Sequence, residues 1–424
     1  MRRFVSYGPA LVVFVTVLLV LALAPAAVKQ VQLAGMSATV MQAQARLDQQ
    51  ASLLEQLNQA TRDVADAVLP GIVHIQVRAQ VAQSQEEGGG RRFSGPRASA
   101  AGWFYNTDGF IVTNSHVVAD AEMVRVETYD GRVREAQVVG SDPRTDIAVI
   151  RVPDLTNTLP LRRATGQAVF VGDRVFAFGS PFGIKFSMSQ GIVSGLGRSE
   201  AASLVGMRSG YTNFIQTDAA MNPGNSGGPL VDARGRVIGM STAIANNVEY
   251  SFNDRSPQGQ SAGIGFAIPI ETIESVVSQL MESNVVIRGH LGIALRDYPS
   301  PFDVRGESSY EGVGAMVREV RPNGPAAKSG LQAGDIIIEV AGQPCLNQDV
   351  LRSVVSIRGP ATVIPMKVWR GGEPLTIRAT IGSAYFGTNE RGEEDLIYIE
   401  GSEGMTMAQV REKLKGLSAT KRLD

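Results

Sequence analysis

Cysteine is almost absent from this 424-residue chain, in which Cys345 is the single example. One cysteine cannot form an intrachain disulfide, so a small secreted scaffold held together by disulfides is excluded. A lone thiol does not identify the cellular compartment. The length indicates roughly two to three domains and is enough for a large hydrophobic core.

Charge of one sign and aromatic residues are also scarce. Lys and Arg number 40 and Asp and Glu 41, for a net charge of −1, and aromatics make up 6% of the chain. Without a basic surface or stacking aromatics, nucleic-acid binding is excluded as a function class. The sequence predicts no cofactor and no metal site.

The N-terminus carries a long apolar run from Ala10 to Val28, preceded by Arg2 and Arg3. About 19 residues of helix span roughly 28 Å, close to the ~30 Å hydrocarbon core of a bilayer. Positive charge before the run predicts a cytoplasmic N-terminus, with residues 1–28 as a membrane anchor and the body outside. Ala24-Pro25-Ala26 also fits a signal-peptide cleavage site, so a cleaved signal is the alternative.

Residues 29–63 are predicted to form a helical linker. The helical pattern itself runs from Met36 to Val68, and Pro70-Gly71 is expected to end it. Apolar side chains recur near heptad a/d positions, at Val40, Ala43, Leu47, Leu54, Leu57, Val64 and Val68. Gln50 and Thr61 interrupt this pattern, so self-association of the helix stays open.

Short Val/Ile-rich runs follow from Ile72 to Ile270, separated by turn residues. Their spacing favours antiparallel barrels or sandwiches over βαβ units. The runs lie at 72–77, 110–114, 123–140, 147–152 and 236–244. A polar, glycine-rich stretch at 83–98 predicts a flexible loop.

The sharpest functional motif is NPGNSGGPLV at 222–231. A serine hydroxyl is a weak nucleophile, so it needs a nearby base and donors for the developing oxyanion. Glycines on both sides of Ser226 permit a tight turn that directs the N–H groups of Gly224 and Ser226 toward one point. The motif therefore predicts Ser226 as a catalytic nucleophile.

A histidine is expected as the base, because its pKa of ~6.5 suits proton transfer near neutral pH. Of the three histidines, His74 lies in an alternating strand and is interpreted as structural, and His290 lies beyond the β region. His116 follows a strand in IVTNSHVV at 111–118 and is the predicted general base.

The orienting carboxylate is predicted at Asp146, in SDPRTDIAVIRV at 141–152. It enters a strongly apolar strand, where a charge is costly unless it is paired. Asp142 precedes Pro143 and is interpreted as a turn residue. The order His116, Asp146, Ser226 is that of the chymotrypsin fold.

With these motifs the chain resembles the HtrA (Deg) family of trypsin-like serine proteases, from about Val64 to Gly382. Matching stretches are DGFIVTNSHVV, SDPRTDIAVI, GSPFGIKFSMSQGIVSGLGR, FIQTDAAMNPGNSGGPLVDARGRVIGMSTAI and GIGFAIPI. The resemblance implies a mostly β fold, with a chymotrypsin-like double β-barrel at 64–284, an active site between the barrels and a homotrimer of protease domains.

The resemblance also implies further site residues. The backbone of Gly224, Asn225 and Ser226 matches the family's oxyanion hole. Arg198 matches the arginine that opens the activation-sensing loop. Ile244 matches a residue of the primary specificity pocket, where an aliphatic side chain favours small aliphatic residues such as Val or Ala before the scissile bond.

The stretch from Val285 to Gly382 resembles a PDZ domain, an α+β fold predicted here at 285–384. In the family, the backbone of the HLGI loop binds the carboxylate of a peptide C-terminus, and the peptide adds a strand to the sheet. That loop corresponds to His290, Leu291, Gly292 and Ile293. Residues 385–424 carry no motif and are predicted to be a tail with one amphipathic helix near Met407–Leu417.

Together these features predict a serine endopeptidase anchored in a bacterial inner membrane and facing the periplasm, or soluble there after signal cleavage. Expected partners are unfolded or selected protein substrates and C-terminal peptides that regulate the enzyme through the PDZ domain. Its expected place is envelope stress response or protein quality control. The alternative is a chaperone-like holdase or a PDZ scaffold with little proteolysis.

Overall fold

The computed structural model describes residues 2–79, 98–119, 121–198, 211, 213–246, 261–283, 285–299, 310–388 and 394–420. The chain divides into two units, Met1–Asp63 and Val64–Asp424. The loop predicted at 83–98 lies outside the described residues, apart from its last position.

Helix α1 (Arg2–Val68) is continuous over 67 residues and includes both the predicted apolar run and the linker. A 3-10 turn at Leu69–Gly71 ends it, where Pro70 cannot supply a backbone N–H. Among the described residues, no helix is both long and apolar enough to cross a membrane. The side chains of residues 22–29 lie outside the description, and the anchor stays a prediction.

The first barrel is closed by six antiparallel strands in the order β1-β2-β3-β6-β5-β4. Between β3 and β6 in the chain, the four-residue helix α2 (Ser115–Val118) carries His116. The barrel strands are β1 (Ile72–Ala79), β2 (Ala98–Phe104), β3 (Phe110–Thr113), β4 (Ala121–Thr128), β5 (Val133–Asp142) and β6 (Ile147–Arg151).

The second barrel is also closed, in the order β10-β11-β12-β9-β8-β7. Its strands are β7 (Arg174–Gly179), β8 (Ser187–Arg198), β9 (Phe214–Thr217), β10 (Pro229–Asp232), β11 (Val237–Asn246) and β12 (Ser261–Pro269). Two six-stranded closed barrels confirm the chymotrypsin-like fold class that the family resemblance implies, and they decide between the barrels and sandwiches that the short apolar runs left open.

One hydrophobic core joins the two barrels. Trp103 of the first barrel and Phe214 of the second are fully buried in the same cluster. Helix α3 (Ile270–Glu282) packs its apolar face into this cluster, and so does the end of α1 through Val64 and Val68. This shared core sets the position of one barrel against the other.

The PDZ domain follows, with its own hydrophobic core. Its sheet has the order β14-β15-β16-β18-β19, so β14 lies at one edge, and β17 pairs with β16. The elements are β14 (Ile293–Tyr298), β15 (Gly314–Val320), α4 (Pro325–Ser329), β16 (Ile336–Val340), β17 (Gln343–Pro344), α5 (Gln348–Ser356), β18 (Val363–Arg370) and β19 (Glu373–Thr380).

A separate three-stranded sheet has the order β13-β20-β21 and includes residues without a recognised motif. Its strands are β13 (Ile287–His290), β20 (Gly382–Thr388) and β21 (Glu394–Ile399). A 3-10 turn at Ser402–Gly404 leads to α6 (Met407–Thr420), where the sequence predicts an amphipathic helix. Residues 394–420, named here the C-terminal segment, thus add a strand and a helix beside the PDZ domain.

Candidate active site

His116 and Asp146 are joined by hydrogen bonds in the first barrel. Nδ1 of His116 lies 2.8 Å from Oδ2 and 3.0 Å from Oδ1 of Asp146. The backbone N–H of His116 also donates to Asp146 Oδ1, at 3.0 Å. Since a carboxylate accepts, Nδ1 carries the proton and Nε2 keeps the lone pair that a general base requires.

Asp146 has an unusual backbone that its neighbours stabilise. Its φ of 57° lies in the left-handed region, which is unfavourable for a residue with a side chain. Its carbonyl oxygen accepts from Asn114 Nδ2 at 2.9 Å and from the Ser115 N–H at 3.1 Å. These bonds link the loop before β6 to α2, so the carboxylate and the imidazole are positioned together.

Thr242 of β11 supplies a further donor to the same carboxylate. Its hydroxyl is buried and donates to Asp146 Oδ2. Asp146 therefore accepts from both barrels. The carboxylate is 6% exposed, so these donors replace the water that it loses.

Ser226 lies in a turn before β10 that packs closely against strands of both barrels. Its carbonyl oxygen accepts from the Ala101 N–H of the first barrel at 2.9 Å. A side chain on Gly227 would collide with the Ala101 carbonyl and the Thr113 hydroxyl, and one on Gly228 with the Phe178 carbonyl. The glycines after Ser226 are thus required by close backbone approach at the seam between the barrels.

The turn of Ser226 carries backbone donors without an acceptor in the part of the chain that the structure describes. The N–H groups of Gly224 and Ser226 form no hydrogen bond within the described residues. The Asn225 N–H, in contrast, donates to the Asn222 carbonyl at 3.0 Å and is occupied. Gly224 has a φ of 107°, which a residue with a side chain rarely adopts.

The Ser226 hydroxyl is not engaged with the base in this conformation. Among the described residues, no hydrogen bond joins Ser226 Oγ to His116, whose side chain is 50% exposed. Catalytic hydrogen bonds are often long without substrate and shorten in the complex. The barrels bring all three residues to one seam, but the serine–histidine contact remains to be formed.

The predicted specificity residue Ile244 lies in β11 and pairs with Gly265 of β12. Its side chain lies outside the description. A Cβ on Gly265 would lie 2.6 Å from the Met221 sulfur, so the glycine makes room for this buried thioether. Met221 precedes Ser226 by five residues and is buried in a hydrophobic core cluster of the second barrel.

Arg198 is the last residue of β8, and its Nε donates to Gln216 Oε1 at 3.0 Å. Beside it, a Cβ on Gly197 would lie 3.3 Å from Val350 Cγ2 of the PDZ helix α5. Residues 199–210 lie outside the description, and Tyr211 is the next described residue after Arg198. Arg198 thus lies at the contact between the barrel and the PDZ domain.

The four predicted PDZ residues all line one cavity of about 270 Å³. They are His290, Leu291, Gly292 and Ile293. Leu351 and Val355 of α5 form the opposite wall, and Tyr211 of the protease domain also borders the cavity. Because β14 is at the sheet edge, an extended peptide could pair with it beside this cavity.

A buried ion pair joins the PDZ-proximal sheet to the catalytic loop. Arg288 Nη2 lies 2.7 and 2.6 Å from the two carboxylate oxygens of Asp142, and both side chains are less than 10% exposed. Asp142 also accepts from the Thr145 hydroxyl at 2.5 Å. The interpretation of Asp142 as only a turn residue is therefore incomplete, because the partner lies 146 positions away.

Comparisons with known proteins agree with this architecture. A family model described as "Trypsin-like peptidase domain" matches residues 100–240, and one described as "PDZ domain" matches residues 316–370. The "Serine endoprotease DegS" of Escherichia coli strain K12 is 38% identical over 289 residues, which cover 67% of this chain and 77% of that protein.

The "Periplasmic serine endoprotease DegP" of Salmonella typhimurium is 40% identical over 270 residues. The match covers 63% of this chain and 53% of that protein, so this chain spans about half of its length. The solved structure "HtrA-type protease AlgW with tripeptide" superposes with a TM-score of 0.56 at 32% identity, over 76% of this chain and 96% of that one.

Proposed function

This chain belongs to the HtrA (Deg) family of serine proteases, and we propose that it is an endopeptidase that cleaves proteins through an acyl-enzyme. The observation that carries the proposal is the His116–Asp146 hydrogen bond. It leaves Nε2 as a base at the seam where Ser226 lies beside two unoccupied N–H donors.

In the proposed mechanism, His116 Nε2 takes the proton from Ser226 Oγ as this oxygen bonds to the substrate carbonyl carbon. The N–H groups of Gly224 and Ser226 donate to the resulting oxyanion. The C–N bond then breaks, and His116 gives its proton to the leaving amine. Water, activated by the same nitrogen, hydrolyses the ester and restores Ser226. Asp146 keeps the proton on Nδ1 throughout.

The proposed oxyanion hole uses two residues as donors, fewer than the three implied by the resemblance. The Asn225 N–H already donates to Asn222, so Gly224 and Ser226 are the proposed donors. Ile244 and Met221 are proposed to line the primary specificity pocket, which favours small aliphatic residues such as Val or Ala before the scissile bond.

Regulation by peptides at the PDZ domain is proposed from two contacts. Tyr211, the next described residue after Arg198, borders the peptide cavity. The Arg288–Asp142 ion pair joins strand β13, which ends at His290, to the loop of Asp146. A peptide can change the activity only by binding one conformation of the site more tightly than another.

The proposed location is the periplasmic side of a bacterial inner membrane, with helix α1 as anchor or as a cleaved signal, and the proposed assembly is a homotrimer. Extraction of membranes with carbonate separates anchored from released protein. Sedimentation of the purified body measures its stoichiometry. Proposed substrates are unfolded or selected proteins.

The direct test is hydrolysis of casein by the full chain, with Ser226→Ala as control. Loss of turnover by about 10⁵–10⁶ in Ser226→Ala supports the endopeptidase, because triad residues act as one unit. Prevention of aggregation by wild type and Ser226→Ala alike, without cleavage by either, would support a holdase instead.

A short chromogenic peptide tests the regulation. It is too small to reach the PDZ cavity, so tethering cannot accelerate its cleavage. Stimulation by a non-cleavable peptide with an apolar free C-terminus, about 5–150-fold and lost in Arg198→Ala, is expected for coupled sites.

A further inference from the structure

Strand β21 of the C-terminal segment borders the peptide cavity of the PDZ domain. Leu396 and Tyr398 line that cavity together with His290 and Leu291. The matched PDZ region ends at residue 370, so these two side chains come from residues beyond it. The inference below rests on the proposed binding of peptide C-termini at this cavity.

The register of the three-stranded sheet explains why these two side chains reach the cavity. Tyr398 pairs with Ala384 of β20, which in turn pairs with Arg288 of β13. Because side chains alternate along a strand, Leu396 and Tyr398 lie on the same face as His290. Their position is thus set by backbone pairing.

The opposite face of this sheet is covered by α6. Ile399 of β21 and Ile287 of β13 form a buried cluster with Val410 of the helix. Residues on this face cannot turn toward the cavity without exposing apolar surface to water. The C-terminal segment therefore holds β21 in one register, with Leu396 and Tyr398 facing the cavity.

The Tyr398 ring is fixed by two neighbours of the peptide loop. The His290 ring meets it edge-on at 4.7 Å between centroids, and the Arg321 guanidinium lies 4.5 Å from its centre. The residue is still 38% exposed, so part of the ring is free to contact a ligand. Arg321 is tied to the same loop through its N–H, which donates to the Gly292 carbonyl at 2.9 Å.

The cavity beside this ring is apolar on several sides. Leu351 and Val355 come from α5, and Leu291 is buried in the PDZ core. Its volume of about 270 Å³ is close to the lower end of small-ligand sites, ~300–1,000 Å³, which suits the end of a peptide. An aromatic wall favours an aromatic or other large apolar side chain by edge or offset contact.

We propose that Leu396 and Tyr398 are specificity-determining residues of this site, which select a large apolar last residue in a peptide with a free carboxylate. The loop of His290 and Gly292 binds the carboxylate in any such peptide. Strand β21 adds the contact that distinguishes a terminal Phe from a terminal Ala. The C-terminal segment is thereby part of the peptide-binding site.

The test measures fluorescence anisotropy of two labelled peptides, identical except for a last residue of Phe or Ala, with the full chain carrying Ser226→Ala to prevent cleavage. The protein with an unaltered β21 should bind the Phe peptide more tightly than the Ala peptide. Tyr398→Ala and Leu396→Ala should each reduce the Phe-to-Ala preference by about 2–10-fold. Tyr398→Phe, which keeps the ring, should retain it.

Ile397→Ala is the matched control for Leu396→Ala, because the neighbouring residue lies in the same strand on the opposite face. An unchanged preference in Ile397→Ala, with loss in Leu396→Ala, supports the proposal. The proposal is overturned if wild type, Tyr398→Ala and Leu396→Ala all show the same Phe-to-Ala preference, or if Tyr398→Ala binds the Phe peptide more tightly than wild type does. Either result leaves the proposed binding of peptide C-termini intact. The Phe peptide is also measured with an amidated C-terminus. Equal affinity of wild type for the free and the amidated peptide would overturn the proposed PDZ function, and this inference with it.

Discussion

Arg288 and Asp142 form a buried ion pair between strand β13, which ends at His290, and the segment that carries Asp146, the proposed catalytic carboxylate. Arg288 is two residues before His290, and Asp142 is four residues before Asp146. Two functional loops, distant in the chain, thus share one contact that excludes water. The arginine also lies over the Tyr211 ring, 4.7 Å from its centre.

Asp142→Asn should destabilise the protein strongly, because it leaves the Arg288 charge buried without a counter-ion. Removal of one partner of a buried pair costs about 3–5 kcal/mol. Urea unfolding measures the loss. The double variant Asp142→Leu/Arg288→Met should recover much of the lost stability, since no charge is then unpaired.

Lys367→Gln, which breaks the exposed pair with Glu339, is the control and should cost no more than about 1 kcal/mol. Equal effects of Asp142→Asn and Lys367→Gln would contradict the assigned burial.

Thr242→Val should lower kcat on the order of tenfold, because Asp146 loses a hydrogen bond to its charged form and His116 is held less firmly. Steady-state kinetics on a short peptide gives the value. Thr242→Ser keeps the hydroxyl and should stay near wild type. Full activity in the valine variant would show that the Thr242 bond has no part in orienting the triad.

Gly224→Ala should reduce kcat by about 10²–10³, the cost of one lost oxyanion donor. The residue has a positive φ, and its new Cβ would meet the Ser180 carbonyl, so the turn must shift. Gly183→Ala is the control, because Gly183 also has a positive φ but open space around its Cβ position. If both variants lose activity alike, backbone strain explains the loss and the oxyanion assignment fails.

His290 should make stability depend on pH in the acid range. Burial lowers the pKa of its imidazole from 6.5 to about 4, with Glu403 and Arg321 acting in opposite directions. Above pH ~6.5 both folded and unfolded chains carry a neutral ring. As the pH falls toward about 4, only the unfolded chain takes up the proton, so stability is lost over this range.

The difference in unfolding free energy between wild type and His290→Phe reports this effect together with the smaller change at Glu403, whose pKa His290 lowers, since groups away from His290 titrate alike in both. As the pH is lowered from 7.5 to 4.5, the unfolding free energy of His290→Phe should rise relative to that of wild type. A difference that does not change with pH would show that the folded-state pKa of His290 is not depressed.

Much of the architecture could be predicted from the sequence because its determinants are local. The run at 147–152 has apolar residues at nearly every position and forms β6 in the wall between two neighbours. Ser226 was identifiable from the glycines around it. His116 was proposed as the base among three histidines because it follows a strand in a chain that also carries the GNSGGP motif; its position after a strand would not have been enough alone.

Contacts between residues that are far apart in the chain leave no recognisable pattern in the local sequence. Thr242 lies 96 positions from Asp146, and its hydroxyl resembles any other in a strand. Arg288 and Asp142 each look like a surface charge until the fold buries them together. Strand β21 was missed because residues 385–424 carry no recognised motif, whereas the strand is positioned by pairing with β20 and by packing against α6.

Covalent labelling reports whether His116 activates Ser226 as a nucleophile. The full chain is treated with an excess of a fluorophosphonate and analysed by intact and peptide mass spectrometry. One adduct per chain, located on Ser226 and lost in both Ser226→Ala and His116→Ala, is the predicted result. Unchanged labelling in Ser226→Ala, or no labelling of the folded wild-type protein, would contradict the account.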